Sequence, residues 1–154
     1  MRDVSEITPD LDNMGQPLEY VATAGQPEEE HLKRLAEAGY KTVVDLRTPG
    51  EAPSPDEWGR VVRRAGMEYV NIPVAHKNID DETFDRFREH IRDGGRRPVL
   101  VHCSSANRVG ALLIPYLILD DGMTPQKSKE IAAEVGLKSN RLKRAAFRYV
   151  SANT

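Results

Sequence analysis

One cysteine, Cys103, stands in a chain of 154 residues, so no internal disulfide can form and the fold must hold without one. Long apolar runs are missing as well: residues 111–119 make the longest candidate, broken by Pro115 and far short of the ~18 residues that cross a bilayer. The opening dozen residues carry no apolar stretch of the kind a secretory leader or anchor needs. Together with the lone cysteine, this sets the expectation of a reduced, cytoplasmic setting with no membrane partner. Charge of one sign is not in excess, with 22 Lys and Arg against 24 Asp and Glu for a net charge of −2. That balance disfavours an extended nucleic-acid-binding surface. Internal repeats and low-complexity tracts are also absent, which excludes a solenoid or a fibrous chain.

What remains is one domain's worth of ordinary globular sequence, long enough to bury roughly two-thirds of its unfolded surface. Short β-branched runs alternate with amphipathic helical patterns, the signature of α/β layering. The expected architecture is a single three-layer α/β domain, with a central, mostly parallel sheet of about four strands flanked by helices. Residues 1–16 are polar with little periodicity and read as a flexible lead-in, leaving 17–154 as the folded domain. Strands are expected at 20–23, 42–46, 69–74 and 99–101. Pro27 with Glu28, Glu29 and Glu30 opens a first helix closed by Gly39. Ser54, Pro55 and Glu57 form the cap of a second, whose inner face carries Trp58, Val61, Val62 and Ala65 and whose stop is Gly66. Asp80 or Asp81 begins a third, with Phe84, Phe87 and Ile91 inward. Val109, Leu112, Leu113, Tyr116 and Leu117 recur at helical spacing, so a buried helix follows Cys103 without a spacer, and Pro115 inside it predicts a kink or a local shift in hydrogen bonding. Thr124 and Ser139 cap two closing helices.

Residues 99–110, Val-Leu-Val-His-Cys-Ser-Ser-Ala-Asn-Arg-Val-Gly, join a buried strand to a helix through a tight loop. Backbone N–H groups of such a loop converge on one spot, and the helix dipole favours negative charge there. A cysteine in that position has its thiolate stabilised by the same field, to which Arg108 adds a full positive charge. Arg108 can also grip two oxygens of a phosphoryl group with its planar fork. Cys103 is thus the candidate nucleophile, and Ser104, Ser105, Ala106, Asn107 and Arg108 are the candidate anion cradle.

His102-Cys103 and Arg108, placed after this strand, resemble the signature loop of cysteine-dependent protein tyrosine and dual-specificity phosphatases. Gly25-Gln26-Pro27, Val43-Val44-Asp45-Leu46-Arg47 with Glu51, and Tyr69-Val70-Asn71-Ile72-Pro73-Val74 resemble a bacterial branch of that superfamily, some of whose members are fused to β-lactamase-like hydrolases. The resemblance covers about residues 16–121. It implies a phosphatase-like catalytic domain in which Cys103 attacks phosphorus, a cysteinyl-phosphate forms and water releases phosphate. His102 would orient the loop and tune the thiolate. No metal ligand set and no organic cofactor are implied, and the partner is a phosphorylated small molecule or a phosphoprotein.

Three features depart from that pattern. Four residues separate Cys103 from Arg108 where the phosphatase signature has five, a loop length that resembles rhodanese-type sulfurtransferases and keeps a Cys103 persulfide as an alternative. Val109 stands where phosphatases carry a Ser or Thr, and the loop glycine is absent; Val109 together with a missing general-acid aspartate keeps a non-catalytic phosphate-binding module as a third reading. His76 occupies the place of the general-acid aspartate, with Asp80 and Asp81 following; a histidine can donate a proton near neutral pH. Other polar residues have plainer expectations: Arg47 and Glu51 as a surface pair, His31 and His90 as solvated or packing histidines, Trp58 as core, and Lys138, Arg141, Lys143, Arg144 and Arg148 as a solvated helix face.

Overall fold

The computed structural model describes residues 3–154; Met1 and Arg2, part of the expected lead-in, lie outside the described residues. Five strands form one sheet, β1 (Gly15–Leu18), β2 (Val21–Ala24), β3 (Thr42–Asp45), β4 (Glu68–Asn71) and β5 (Val99–His102), in the order β1-β2-β5-β3-β4. The pairs β2–β5, β5–β3 and β3–β4 are parallel, and β1 adds an antiparallel edge. The mostly parallel α/β sheet matches the expectation, with one strand more than the four anticipated. β1 was hidden because Gly15-Gln16-Pro17-Leu18 has neither β-branching nor alternation; a proline is tolerated there because the strand lies on the edge.

Alternating side chains of the strands feed two cores. Val21, Val44, Val99 and Val101 pack on one face beneath α4 (Asp81–Arg92), α5 (Asn107–Pro115), α6 (Pro125–Val135) and α7 (Asn140–Ala152). Ala22, Ala24, Val43 and Leu100 pack on the other against α1 (Val4–Ile7), α2 (Glu29–Glu37) and α3 (Pro55–Arg64). The chain start departs from the expected flexible lead-in: Val4, Ile7 and Leu11 are buried in the second core, and the Val4 N–H donates to Gln16 Oε1 at 2.9 Å. Three apolar side chains, spaced three and four residues apart, suffice to dock a short turn of helix, although they are too few to stand out against the polar residues around them.

α5 is the central helix, buried along its length from Arg108 to Pro115. Gly110 permits its close approach to α6, since a Cβ there would lie 2.8 Å from the Ala132 carbonyl oxygen and 2.7 Å from Leu137 Cβ. After Pro115 the hydrogen bonding shifts into a π-helical turn, Tyr116–Asp120, the local shift the missing proline donor predicts. Beyond the regular strands, the Leu46 N–H donates to the His102 carbonyl and the Val74 N–H to that of Leu46. These extensions bring Leu46, Val74 and Cys103 together at the carboxyl ends of the parallel strands, where open α/β sheets place their sites.

Candidate active site

The loop leaves β5 at His102, and Cys103, fully buried, heads it. Ala106, the residue before α5, sits in the left-handed region at φ 70° and ψ 3°. An L-residue there is strained, and the neighbouring chain makes room for its methyl group: Gly136, itself at φ 139°, has no side chain where a Cβ would meet Ala106 Cβ at 3.2 Å. Among the described residues, the N–H groups of Ser104 through Arg108 donate to no backbone carbonyl outside the helices and strands, and the helix that starts at Asn107 offers them no partner. The loop thus presents a run of free amides at the positive end of a nine-residue helix. On its outer side Gly25 is pressed against it: a Cβ there would stand 2.6 Å from the Ser104 carbonyl oxygen, which accepts the Gln26 N–H at 3.1 Å.

Arg108 is fully buried beside Cys103, and its fork is engaged differently from the expectation. Nη1 donates to Glu51 Oε2 at 2.8 Å and Nη2 to Oε1 at 2.6 Å. Nη1 also donates to the Val74 carbonyl at 3.0 Å. Glu51 collects further donors from the Thr48 N–H at 2.6 Å and the Ser104 hydroxyl at 2.9 Å. The Arg108 guanidinium, with Thr48 and Ser104 adding to it, holds the Glu51 carboxyl well below the usual carboxylate range, so it is ionised at any working pH. Nε of Arg108 is buried without a partner. An unpaired buried guanidinium N–H is costly, and it is the donor left for an anion over Cys103. The expected surface pair of Arg47 and Glu51 is therefore corrected: Glu51 holds Arg108, and Arg47 is buried against Asp45, with Nη2 to Oδ2 at 2.9 Å and Nε to Oδ1 at 3.0 Å. The Glu51–Arg108 pairing spans 57 residues and lies beyond any sequence-spacing rule, whereas Asp45 and Arg47, two residues apart, share one face of the extended chain.

His102 is fully buried beneath the loop. Its Nε2 accepts the Trp58 indole N–H at 3.0 Å, and its Nδ1 lies 3.2 Å from the Cys103 carbonyl oxygen and 4.0 Å from Asp45 Oδ1. Burial pushes the ring pKa down to about 4, with Arg47 and Arg108 adding to that and Asp45 and the Cys103 carbonyl opposing it. Indole can only donate and carbonyl can only accept, so the neutral ring carries its proton on Nδ1. Trp58, expected as plain core, is buried and is also the donor to this histidine. Asp45 is buried as well and accepts the Tyr69 hydroxyl at 2.6 Å, whose phenol is held protonated by burial and by that same carboxylate.

The remaining candidates are dispersed. Ser105 is exposed. The Asn107 side chain faces away from the cradle and accepts the Lys138 N–H at 2.8 Å and the Ser139 N–H at 3.3 Å, leaving only its backbone amide for an anion. His76 is exposed on the segment between β4 and α4, two residues past Val74, whose carbonyl touches Arg108. Asp80 is exposed and caps α4, accepting the Thr83 N–H at 2.9 Å; Asp81 is the exposed first residue of that helix. His31 is buried and caps α2 by accepting the Glu28 N–H at 2.9 Å on Nδ1. Among the described residues no group of three or more His, Cys, Asp or Glu is arranged to hold a metal ion, and no helix is long and apolar enough to cross a membrane.

The chain and its fold resemble known proteins. The chain is 32% identical over 108 residues to a beta-lactamase hydrolase-like protein of Xylella fastidiosa, a match covering 68% of this chain and 25% of that protein. A second such protein, from Agrobacterium fabrum, is 28% identical over 105 residues, covering 66% and 24%. The chain thus matches about a quarter of the length of these relatives. Among solved structures, a DUF442 protein of Shewanella putrefaciens CN-32, crystallised as a candidate phosphatase, superposes with a TM-score of 0.81 at 24% identity, covering 97% of each chain. The catalytic core of the PP-IP phosphatase SIW14 of S. cerevisiae gives 0.75 at 17% identity, covering 90% of this chain and 86% of that one. The chain therefore shares its fold with these two proteins. Residues 3–148 match the family described as the DSP-PTPase phosphatase fused to NAD+ kinase, and the chain belongs to that phosphatase family.

Proposed function

We propose that the protein hydrolyses phosphate monoesters through a cysteinyl-phosphate on Cys103. The observation that carries this reading is the unpaired, buried Nε–H of Arg108 beside a run of free loop amides at the same cysteine. Equatorial oxygens of a phosphoryl group would take the Nε–H and the amides of Ser104 to Arg108, while Glu51 keeps the far edge of the guanidinium fixed. Cys103 Sγ attacks phosphorus in line, the P–O ester bond breaks and the leaving oxygen takes a proton. Water then adds to phosphorus, the P–S bond breaks and phosphate leaves. His76 is the proposed proton donor, because Asp80 is committed to capping α4 and Asp81 lies further along, at the start of that helix. His102, neutral and buried, holds the loop and takes no part in proton transfer.

The substrate panel follows from the relatives' chemistry: an aryl phosphate, phosphotyrosine, a PP-IP, and NADP+, whose 2′-phosphate is the monoester an NAD+ kinase makes. Metal-independent phosphate release that falls to background in Cys103→Ser supports the reading, and an unchanged rate in that variant overturns it. A second reading, sulfur transfer, rests on the four-residue spacing between Cys103 and Arg108. In it the outer sulfur of thiosulfate moves to Cys103, releasing sulfite, and cyanide then carries it off as thiocyanate. A persulfide mass shift on Cys103 with thiocyanate formation, in the absence of phosphate release, selects it. Phosphate binding without either turnover selects the non-catalytic module.

A further inference from the structure

Trp58 reaches His102 from α3, 44 residues away in sequence, with the two rings nearly perpendicular at 87° and their centroids 6.0 Å apart. A buried tryptophan needs only one acceptor for its N–H, and here that acceptor is a titratable ring directly under the candidate nucleophile. The choice has a consequence for the cradle. With Nε2 occupied as an acceptor, the single proton of the neutral imidazole sits on Nδ1 and is aimed at the Cys103 carbonyl, with the Asp45 carboxylate 4.0 Å away favouring the same tautomer. A trans peptide sets its N–H antiparallel to its C=O, so holding the Cys103 carbonyl toward His102 turns the Ser104 N–H the opposite way, toward the anion site. The next carbonyl, of Ser104, is held separately by the Gln26 N–H.

We propose that Trp58 is a positioning residue that selects the Nδ1–H tautomer of His102 and through it fixes the Ser104 amide as an anion donor of the cradle. The proposal rests on the reading of this loop as an oxyanion site. Without the indole N–H, Nε2 is a buried acceptor with no partner, the Nε2–H tautomer becomes accessible, and the donor to the Cys103 carbonyl is lost in that fraction of molecules. The Cys103–Ser104 peptide is then free to turn, and one amide leaves the cradle.

The chain's single tryptophan makes the test clean, because an indole-labelled sample gives one reporter resonance. The experiment compares wild type with Trp58→Phe for inorganic phosphate affinity, by calorimetry at pH 7, and for the ring 15N shifts of His102. The expected result in the wild type is a pyridine-type Nε2, a pyrrole-type Nδ1, and a scalar coupling across the Trp58 N–H to His102 hydrogen bond. In Trp58→Phe the two ring shifts converge and phosphate binds about tenfold more weakly. If that variant does not fold, replacement of the sole tryptophan by benzothienylalanine, which keeps the bicyclic shape and lacks the N–H, is read out in the same way. Unchanged ring shifts, or unchanged phosphate affinity, overturn the proposal. Failure of the wild type itself to bind phosphate overturns the oxyanion-site reading instead, so the two failures are told apart.

Discussion

At the residue scale the site is organised by a charge that is never left alone. Arg108 is fully buried, and a buried guanidinium without a counter-charge is strongly destabilising. Glu51 supplies that counter-charge through two short hydrogen bonds and still leaves Nε open. Glu51→Ala is therefore expected to lower stability by about 3 kcal/mol in denaturant unfolding. Inorganic phosphate should raise the midpoint of that variant more than that of the wild type, because the anion then becomes the only counter-charge. A variant as stable as wild type, with no extra response to phosphate, would rule out this role. Ala106 makes the opposite case, a residue held where its own backbone resists at φ 70°. Ala106→Gly removes the steric cost, and an increase of about 0.5–1 kcal/mol is expected in the same measurement. Gly136 shows that the strain is built into the packing, since its bare Cα is what leaves room for the Ala106 methyl.

At the element scale, three segments that converge on the loop carry their own start and stop signals. α3 is capped by Ser54, whose Oγ accepts the Glu57 N–H, and it carries Trp58 one turn in. Loss of that cap in Ser54→Ala is expected to cost about 1 kcal/mol of stability. β2 ends at Ala24, and the next residue, Gly25, lets the chain pass within contact of Ser104. Gly25→Ala would place a methyl 2.6 Å from the Ser104 carbonyl oxygen, so that peptide must shift. Phosphate affinity measured by calorimetry should fall severalfold in this variant while unfolding stays cooperative; intact affinity would show that the cradle tolerates the displacement. α5 needed no tertiary help to be recognised, because its apolar residues repeat at helical spacing up to Pro115 and the hydrogen-bonding shift follows from the proline itself. β1 and α1 left no such trace, being four residues each, with their burial conferred by neighbours.

Across the whole molecule, the buried histidine ties stability to pH. The ring pKa of His102 is pushed down to about 4 by burial, against about 6.5 in an unfolded chain. Between those values the unfolded state binds a proton that the folded state refuses, so stability is fully present above about pH 6.5 and is lost as pH falls toward 4, by ~3 kcal/mol in all. Denaturant unfolding at a series of pH values should show this slope reduced by close to one proton in His102→Gln; an identical slope would mean that the ring is protonated in the fold. The sequence by itself determined the α/β layering, the strand–loop–helix around Cys103, and caps such as Ser54, Asp80 and Ser139, because each depends on residues a few positions apart. Only the tertiary structure decided who meets whom at the loop. The parallel sheet sets β3 beside β5, which delivers Glu51 to Arg108 across 57 residues, while α3 covers the other face and delivers Trp58 to His102 across 44. Pairings at such separations leave no periodicity in the chain, since they are fixed by strand order and by the need of every buried polar group for a partner.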